Sequence, residues 1–173
     1  MSPEGTPENR TGGGSPRPLR AREMLATLRR HNVDFVVIGG FALAPHGYVR
    51  ATKDLDIVPG PEPGNIDRLA YALREMDAKP DLGELGADEL GIPLDEAGLR
   101  LGGNWVLWTR FGRLDVMQDV PGLRGYDHLR AGAVRVHDVL YAGYDDLISM
   151  KAASGRDEDL RDIGALEAAR REA

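Results

Sequence analysis

The feature that most constrains this chain is a short apolar run closed by two glycines. Asp34-Phe35-Val36-Val37-Ile38 reads as a short, buried, β-branched strand. Gly39-Gly40 ends it, and Phe41 to His46 follows as a short helix stopped near Gly47. Glycines at such a turn let the backbone come close to a ligand, and the free N–H groups of a helix start favour phosphate. Many strand–helix turns use glycine for packing alone, so the pair needs company before it means chemistry.

That company comes one strand later. Leu55 to Val58 reads as the next strand, entered through Asp54-Leu55-Asp56. Strand side chains alternate faces, so Asp54 and Asp56 project together while Leu55 turns to the core. Two carboxylates side by side repel unless a cation sits between them. Hard oxygen ligands of this kind suit magnesium or manganese. A third carboxylate, Asp115, stands inside the apolar strand Leu114 to Met117. If the two strands are neighbours, three carboxylates converge on a site able to hold two metal ions. Taken singly, Asp54 and Asp56 read as a solvated strand end and Asp115 as an edge charge.

The remaining elements imply a mixed α/β sheet with helices on its faces and a helical C-terminus. Residues 1–18 are Pro, Gly, Ser and Thr with almost nothing apolar, the composition of a disordered tail. Residues 19–173 are expected to form a single domain. Leu19 to Arg30 repeats apolar residues at helical spacing and carries Arg17, Arg20, Arg22, Arg29 and Arg30 in or beside it. Those arginines form either a solvated face or an approach for an anionic acceptor. Ile66 to Met76 predicts an amphipathic helix, and Asp81 to Gly102 a loop with one short helix. Trp105 to Thr109 and Leu114 to Met117 predict a hairpin, with one tryptophan packed and the other facing solvent. Ala133 to His137 predicts a strand; Asp145 to Ala153 and Asp159 to Arg171 predict two helices. His46 reads as a helix-end residue under the site.

Composition removes several chemistries. The chain has no cysteine, so zinc-thiolate sites and thiol catalysis are excluded, and its four histidines are scattered. With 22 Lys+Arg against 28 Asp+Glu, a net charge of −6 argues against coating nucleic acid by bulk charge. The N-terminus lacks the apolar region of a signal peptide and no run is long enough for a membrane span, so a cytoplasmic protein is expected.

Gly39-Gly40, thirteen residues, then Asp54-Leu55-Asp56 resembles the signature of the nucleotidyltransferase superfamily, whose archetype is DNA polymerase β. The longer string Ile38-Gly39-Gly40-Phe41-Ala42-Leu43, His46-Gly47, Arg50-Ala51-Thr52-Lys53-Asp54-Leu55-Asp56 resembles the AbiEii-type and MenT-type toxin nucleotidyltransferases and related small members. The resemblance implies a nucleoside triphosphate with its phosphates on Gly39 and Gly40, metals on Asp54, Asp56 and Asp115, and Asp115 as activator of an acceptor hydroxyl. It also implies functional roles for Lys151 and Arg156, followed by Asp159 and Asp162, though the lysine–arginine spacing is shorter than in the toxin pattern. Fixed cations there would ease the charge developing on a leaving pyrophosphate. The competing reading makes Lys151 and Arg156 surface cations paired with Asp159 and Asp162. Arg50 and Thr52 share the face of Asp54 and Asp56 if the strand begins early, contacting either phosphate or a carboxylate.

The expected activity is transfer of a nucleoside monophosphate to a hydroxyl. The acceptor is RNA, particularly a tRNA end, or a small hydroxylated molecule such as an aminoglycoside or lincosamide. A toxin would have an antitoxin as protein partner. The alternative is a non-catalytic module of the same fold that only binds a metal, a nucleotide or a protein.

Overall fold

The computed structural model describes residues 18–83 and 93–173. The expected disordered tail, apart from its last residue, and the middle of the Asp81 to Gly102 stretch lie outside these residues. Helix α1 (Ala21–Arg30) turns Met24 and Leu28, one helical turn apart, into the interior, and Arg29 and Arg30 stand in its last turn, where positive charge suits the helix dipole. Strand β1 (Phe35–Ile38) is buried along its whole length. Gly39, at φ +66, ends it. The next eight residues, Gly39–His46, form a 3₁₀ helix rather than an α-helix, closed by Gly47. Strand β2 (Asp54–Pro59) and helix α2 (Pro63–Glu75) follow, the latter opened by proline in its first turn.

The two-residue strand β3 (Lys79–Pro80) precedes the short helix α3 (Glu96–Arg100), whose Asp95 cap accepts from the Gly98 N–H at 2.9 Å. Strands β4 (Asn104–Thr109) and β5 (Gly112–Met117) make the expected hairpin, with a tighter turn of Arg110-Phe111. Helix α4 (Tyr126–Gly132), strands β6 (Val134–Val136) and β7 (Val139–Tyr141), and helices α5 (Tyr144–Ser154) and α6 (Asp157–Glu172) complete the chain. The strand expected over Ala133 to His137 is therefore only half of a hairpin. His137 and Asp138 turn it with φ of 47° and 63°, a two-residue left-handed turn made without the usual Asn-Gly or Asp-Gly signature.

The seven strands form one mixed sheet in the order β3-β4-β5-β2-β1-β7-β6. The pair β2–β5 is parallel and β1–β2 antiparallel. One face carries Leu55, Ile57, Leu114 and Val116 under α1, α2 and α3. The other carries Val36, Ile38 and Val58 under the 3₁₀ helix, α4, α5 and α6. Alternation puts Asp54, Asp56 and Asp115 on this second face.

This arrangement corrects one expectation. Helix α1 packs Met24 and Leu28 against the face opposite the carboxylates. Three of the arginines in or beside it are also paired, Arg20 with Glu23, Arg29 with Asp138 and Arg30 with Glu75. It therefore does not stand beside the acidic cluster. No helix among the described residues is long and apolar enough to cross a membrane.

Leu55 is fully buried between the two aspartates in sequence. Leu55→Ala should cost about 2–5 kcal/mol in denaturant unfolding. Val49→Ala, at a position 79% exposed, should stay within about 0.5 kcal/mol.

Candidate active site

The β2–β5 register sets Asp56 opposite Asp115 and Asp54 opposite Arg113. One carboxylate oxygen from each of Asp54, Asp56 and Asp115 lies within 4.8 Å of the others. The three residues expected to converge do so. Gly39 explains how Asp56 fits, because a Cβ at that position would collide with the Asp56 carboxylate. The positive φ and the close approach both require glycine there. Gly40 gives the same clearance to Thr52, whose Oγ1 would lie 2.9 Å from a Cβ. The glycine pair thus holds the acidic strand close to the end of β1.

The electrostatics follow from crowding. Burial, with the charges of Asp54 and Asp115, pushes the Asp56 carboxyl up to about 7. Burial also raises Asp115, against the opposing hydrogen bonds from Arg113. Arg113 donates from Nε to Asp115 Oδ1 at 3.1 Å and from Nη2 to Oδ2 at 3.3 Å, and its Nε stands 3.8 Å from Asp54. One guanidinium cannot balance three carboxylates. A cluster of hard oxygen donors, under-neutralised and partly buried, has the chemistry of a divalent-cation site. Arg113 went unremarked in the sequence, although its place two residues before Asp115 on one strand puts both on one face.

The second half of the site is an ion ladder joining the C-terminal helices to the loop before β2. Lys151 is 5% exposed, and its Nζ donates to Asp162 Oδ2 at 2.7 Å and to Asp159 Oδ1 at 3.4 Å. Arg50 donates to the same Asp162 from Nε at 2.8 Å and from Nη2 at 2.9 Å. Arg156 Nε donates to Asp159 at 2.7 Å. Burial works against ionisation of Asp159, but the Arg156 and Ser154 hydrogen bonds and the Lys151 charge hold it at about 2. Asp162, likewise buried, is kept below the usual carboxylate range by Arg50 and Lys151.

Lys151 is therefore not a surface cation. It pairs with both aspartates from inside the protein, in contacts that cost about 3–5 kcal/mol to break on one side. Of the two contacts open to Arg50, it makes the one to a carboxylate. The strand starts at Asp54, so Arg50 and Thr52 approach from the loop before it rather than from an early extension of β2.

All nine expected site residues line one cleft with two halves. A polar cavity of about 430 Å³ is bounded by Gly40, Arg50, Thr52, Asp54 and Asp115, together with Lys53, Arg113 and Glu158, which the sequence had not singled out. A more apolar cavity of about 300 Å³ is bounded by Ile38, Val120, Pro121, Leu147 and Met150. Gly39, Asp56, Met117, Lys151 and Arg156 line both halves. The apolar wall comes from three distant segments and has no local sequence signal. His46 lies where expected, its Nε2 donating to the Ala142 carbonyl at 2.9 Å.

A mixed sheet with helices on both faces, acids at the centre of one face and a glycine turn beside them, defines a nucleotidyltransferase-like fold. Two solved structures of one protein share the fold. The antibiotic-resistance factor ANT(2'')-Ia in solution is similar with a TM-score of 0.50 at 15% identity, over 88% of this chain and 89% of its own. The crystal structure of ANT(2'')-Ia in complex with adenylyl-2''-tobramycin gives 0.51 at 12% identity, over 88% and 93%. A candidate nucleotidyltransferase of Thermotoga maritima, TM1012, gives 0.47 at 14% identity, over 90% and 94%. The sequence matches no family model and no curated protein. At these identities the likeness is one of fold.

The opposed pKa shifts give separate pH windows. Asp56 is held up from 3.8 to about 7, so the folded chain keeps a proton that the unfolded chain has lost across that interval. The stability of the metal-free protein should therefore fall as pH rises from about 4 to about 7. Asp159, held at about 2, contributes stability that is lost only as pH falls from about 4 towards 2. Thermal melts across pH should show both limbs. Asp56→Asn should flatten the upper one, and magnesium should raise Tm more at pH 8 than at pH 5.

Proposed function

We propose that this protein transfers a nucleoside monophosphate from a nucleoside triphosphate to an acceptor hydroxyl and releases pyrophosphate. The observation that carries the reading is the convergence of Asp54, Asp56 and Asp115 within 4.8 Å, beside a glycine turn that clears space for Asp56. The fold, shared with ANT(2'')-Ia, supports it. Asp54, Asp56 and Asp115 would hold magnesium or manganese, which when bound neutralises the carboxylates and the phosphate oxygens and sharpens the acceptor oxygen as a nucleophile.

The chain's own groups do the rest. Gly39 and Gly40 offer backbone close to the phosphates. Arg156 and Lys151, which line both halves of the cleft, oppose the negative charge that grows on the departing pyrophosphate. Lys151 acts from a fixed position because Asp159 and Asp162 hold it, so little reorganisation is needed during the reaction. Arg50 and Thr52 shape the phosphate side: Arg50 ties its loop to α6 through Asp162, and Thr52 Oγ1 donates to the Asp54 carbonyl at 3.2 Å. Asp115 accepts the acceptor's proton, its raised pKa making it a better base than an ordinary aspartate. The acceptor oxygen bonds to the α-phosphorus as the bond to pyrophosphate breaks. The apolar half takes the nucleoside, since Leu147, Met150 and Val120 offer no charge to a phosphate.

A non-catalytic module that only binds a metal would use the same triad, and transfer of label separates it from a transferase. The string from Ile38 to Asp56 resembles the toxin members, for which the acceptor would be RNA and the protein partner an antitoxin. The shared fold with ANT(2'')-Ia keeps a small hydroxylated acceptor as the other choice.

Asp54→Ala and Asp56→Ala should each abolish transfer of label from an α-labelled triphosphate, with near-UV circular dichroism unchanged. Full transfer by Asp56→Ala would remove the assignment. If the protein is a toxin, its expression should arrest growth only while Asp54 is intact.

A further inference from the structure

Three strand pairings on the second face of the sheet line up in one row. Lys79 on β3 pairs with Trp108 on β4, Trp108 pairs with Arg113 on β5, and Arg113 pairs with Asp54 on β2. Directly paired residues project to the same side of a sheet. A cation, an indole and a second cation therefore stand in line, ending on a carboxylate of the acidic cluster. With strands about 4.8 Å apart, Trp108 lies about 10 Å from Asp54 across the row.

Among the described residues, no apolar cluster covers this part of the face. The apolar cluster that covers the second face draws on β1, β2 and β7, with Met117 of β5, and on no described residue of β3 or β4. Trp108 is 38% exposed, and Lys79 is exposed beside it. Trp105 belongs to the other face and packs into the core there. The exposed part of the Trp108 indole stands in the row beside Arg113, where its π-face is available for stacking.

The order of elements says which ligand. From β1 outward the sheet presents the glycine turn, then Asp54 and Asp56, then Asp115 and Arg113, then Trp108, then Lys79. The triphosphate side lies at the glycine turn. The row lies beyond Asp115, on the side from which an acceptor hydroxyl must arrive. We propose that Lys79, Trp108 and Arg113 form an acceptor platform for the end of a single-stranded polynucleotide. Trp108 stacks on a base next to the reacting nucleotide, while Lys79 meets the phosphate behind it. Arg113, already turned to Asp115, presents positive charge between that base and the acids. Interleaved cations and an aromatic ring match a chain of bases and phosphates. A polycationic amino sugar would instead find its partners in the under-neutralised carboxylates and would leave Lys79 and Trp108 unused. The local charge also answers the objection from the net charge of −6, because an end-binding site needs only a few contacts. The platform rests on the proposed transfer reading for its direction, not for its binding.

The chain's two tryptophans make the test direct. In Trp105→Phe protein, emission comes from Trp108 alone. A short single-stranded RNA with a free 3′-hydroxyl, added without nucleoside triphosphate, should quench it saturably. Trp108→Ala should weaken RNA binding, measured by anisotropy of a labelled RNA, by about tenfold, and Trp108→Tyr should restore most of it. Lys79→Glu should weaken binding and lower the salt slope by about one. In both variants the magnesium-induced rise in Tm should persist, which separates lost contacts from lost folding. Unquenched Trp108, equal RNA affinity in Trp108→Ala, or quenching by kanamycin-like amino sugars but not by RNA would each overturn the platform. RNA bound through Trp108 without any label transfer upholds the platform and removes the transfer reading. Label transferred to an RNA whose binding ignores Trp108 does the reverse.

Discussion

Everything at the site depends on one crowded contact, the Asp56 carboxylate lying over Gly39 between Asp54 and Asp115. Three carboxylates on an apolar sheet are unstable by themselves, and the rest of the cleft can be read as the means of holding them there. The parallel pairing of β2 with β5 sets their register. The glycine provides the room that any side chain would remove. Arg113 offsets part of the charge, and burial leaves the remainder to be met by a cation. A site that keeps a repulsion unresolved in the free protein is prepared to bind what resolves it.

The ladder Arg50–Asp162–Lys151–Asp159–Arg156 has the opposite character. Here the charges are matched, the aspartates are held ionised, and three separate segments are tied together: the loop before β2, α5 and α6. The cleft floor is under strain from like charges while its wall is fixed by unlike ones. That contrast suits phosphate transfer, in which the cations must stay still while negative charge moves between bond-forming and bond-breaking oxygens.

Legibility in the sequence tracked how local each determinant was. The strand at Phe35–Ile38, the glycine turn and the acidic strand were legible because each is set by residues within a few positions. The convergence of Asp115 was legible only as a condition, since nothing local says which strands are neighbours. The hairpin partner Val139–Tyr141 was missed because His137-Asp138 adopts a left-handed turn without glycine. The helix expected over Phe41 to His46 is a 3₁₀ helix with Pro45 inside it. The arginines of α1 looked available to a ligand in one dimension. In three dimensions the helix lies on the far side of the sheet, and Arg20, Arg29 and Arg30 pair with Glu23, Asp138 and Glu75.

By itself, the sequence determined which groups could do chemistry here: carboxylates two apart on a strand, glycines at a strand end, lysine and arginine near the C-terminus, and no thiol. Alternation along a strand and the missing Cβ of glycine are properties of the covalent chain, so they survive in any fold that keeps those elements. Only the tertiary structure decided what those groups are to one another. Strand order made Asp115 the neighbour of Asp56, burial turned Lys151 from a surface charge into a fixed cation, and register placed Lys79, Trp108 and Arg113 in a row. Each of those outcomes depends on long-range packing and dielectric environment, which no window of neighbouring residues contains.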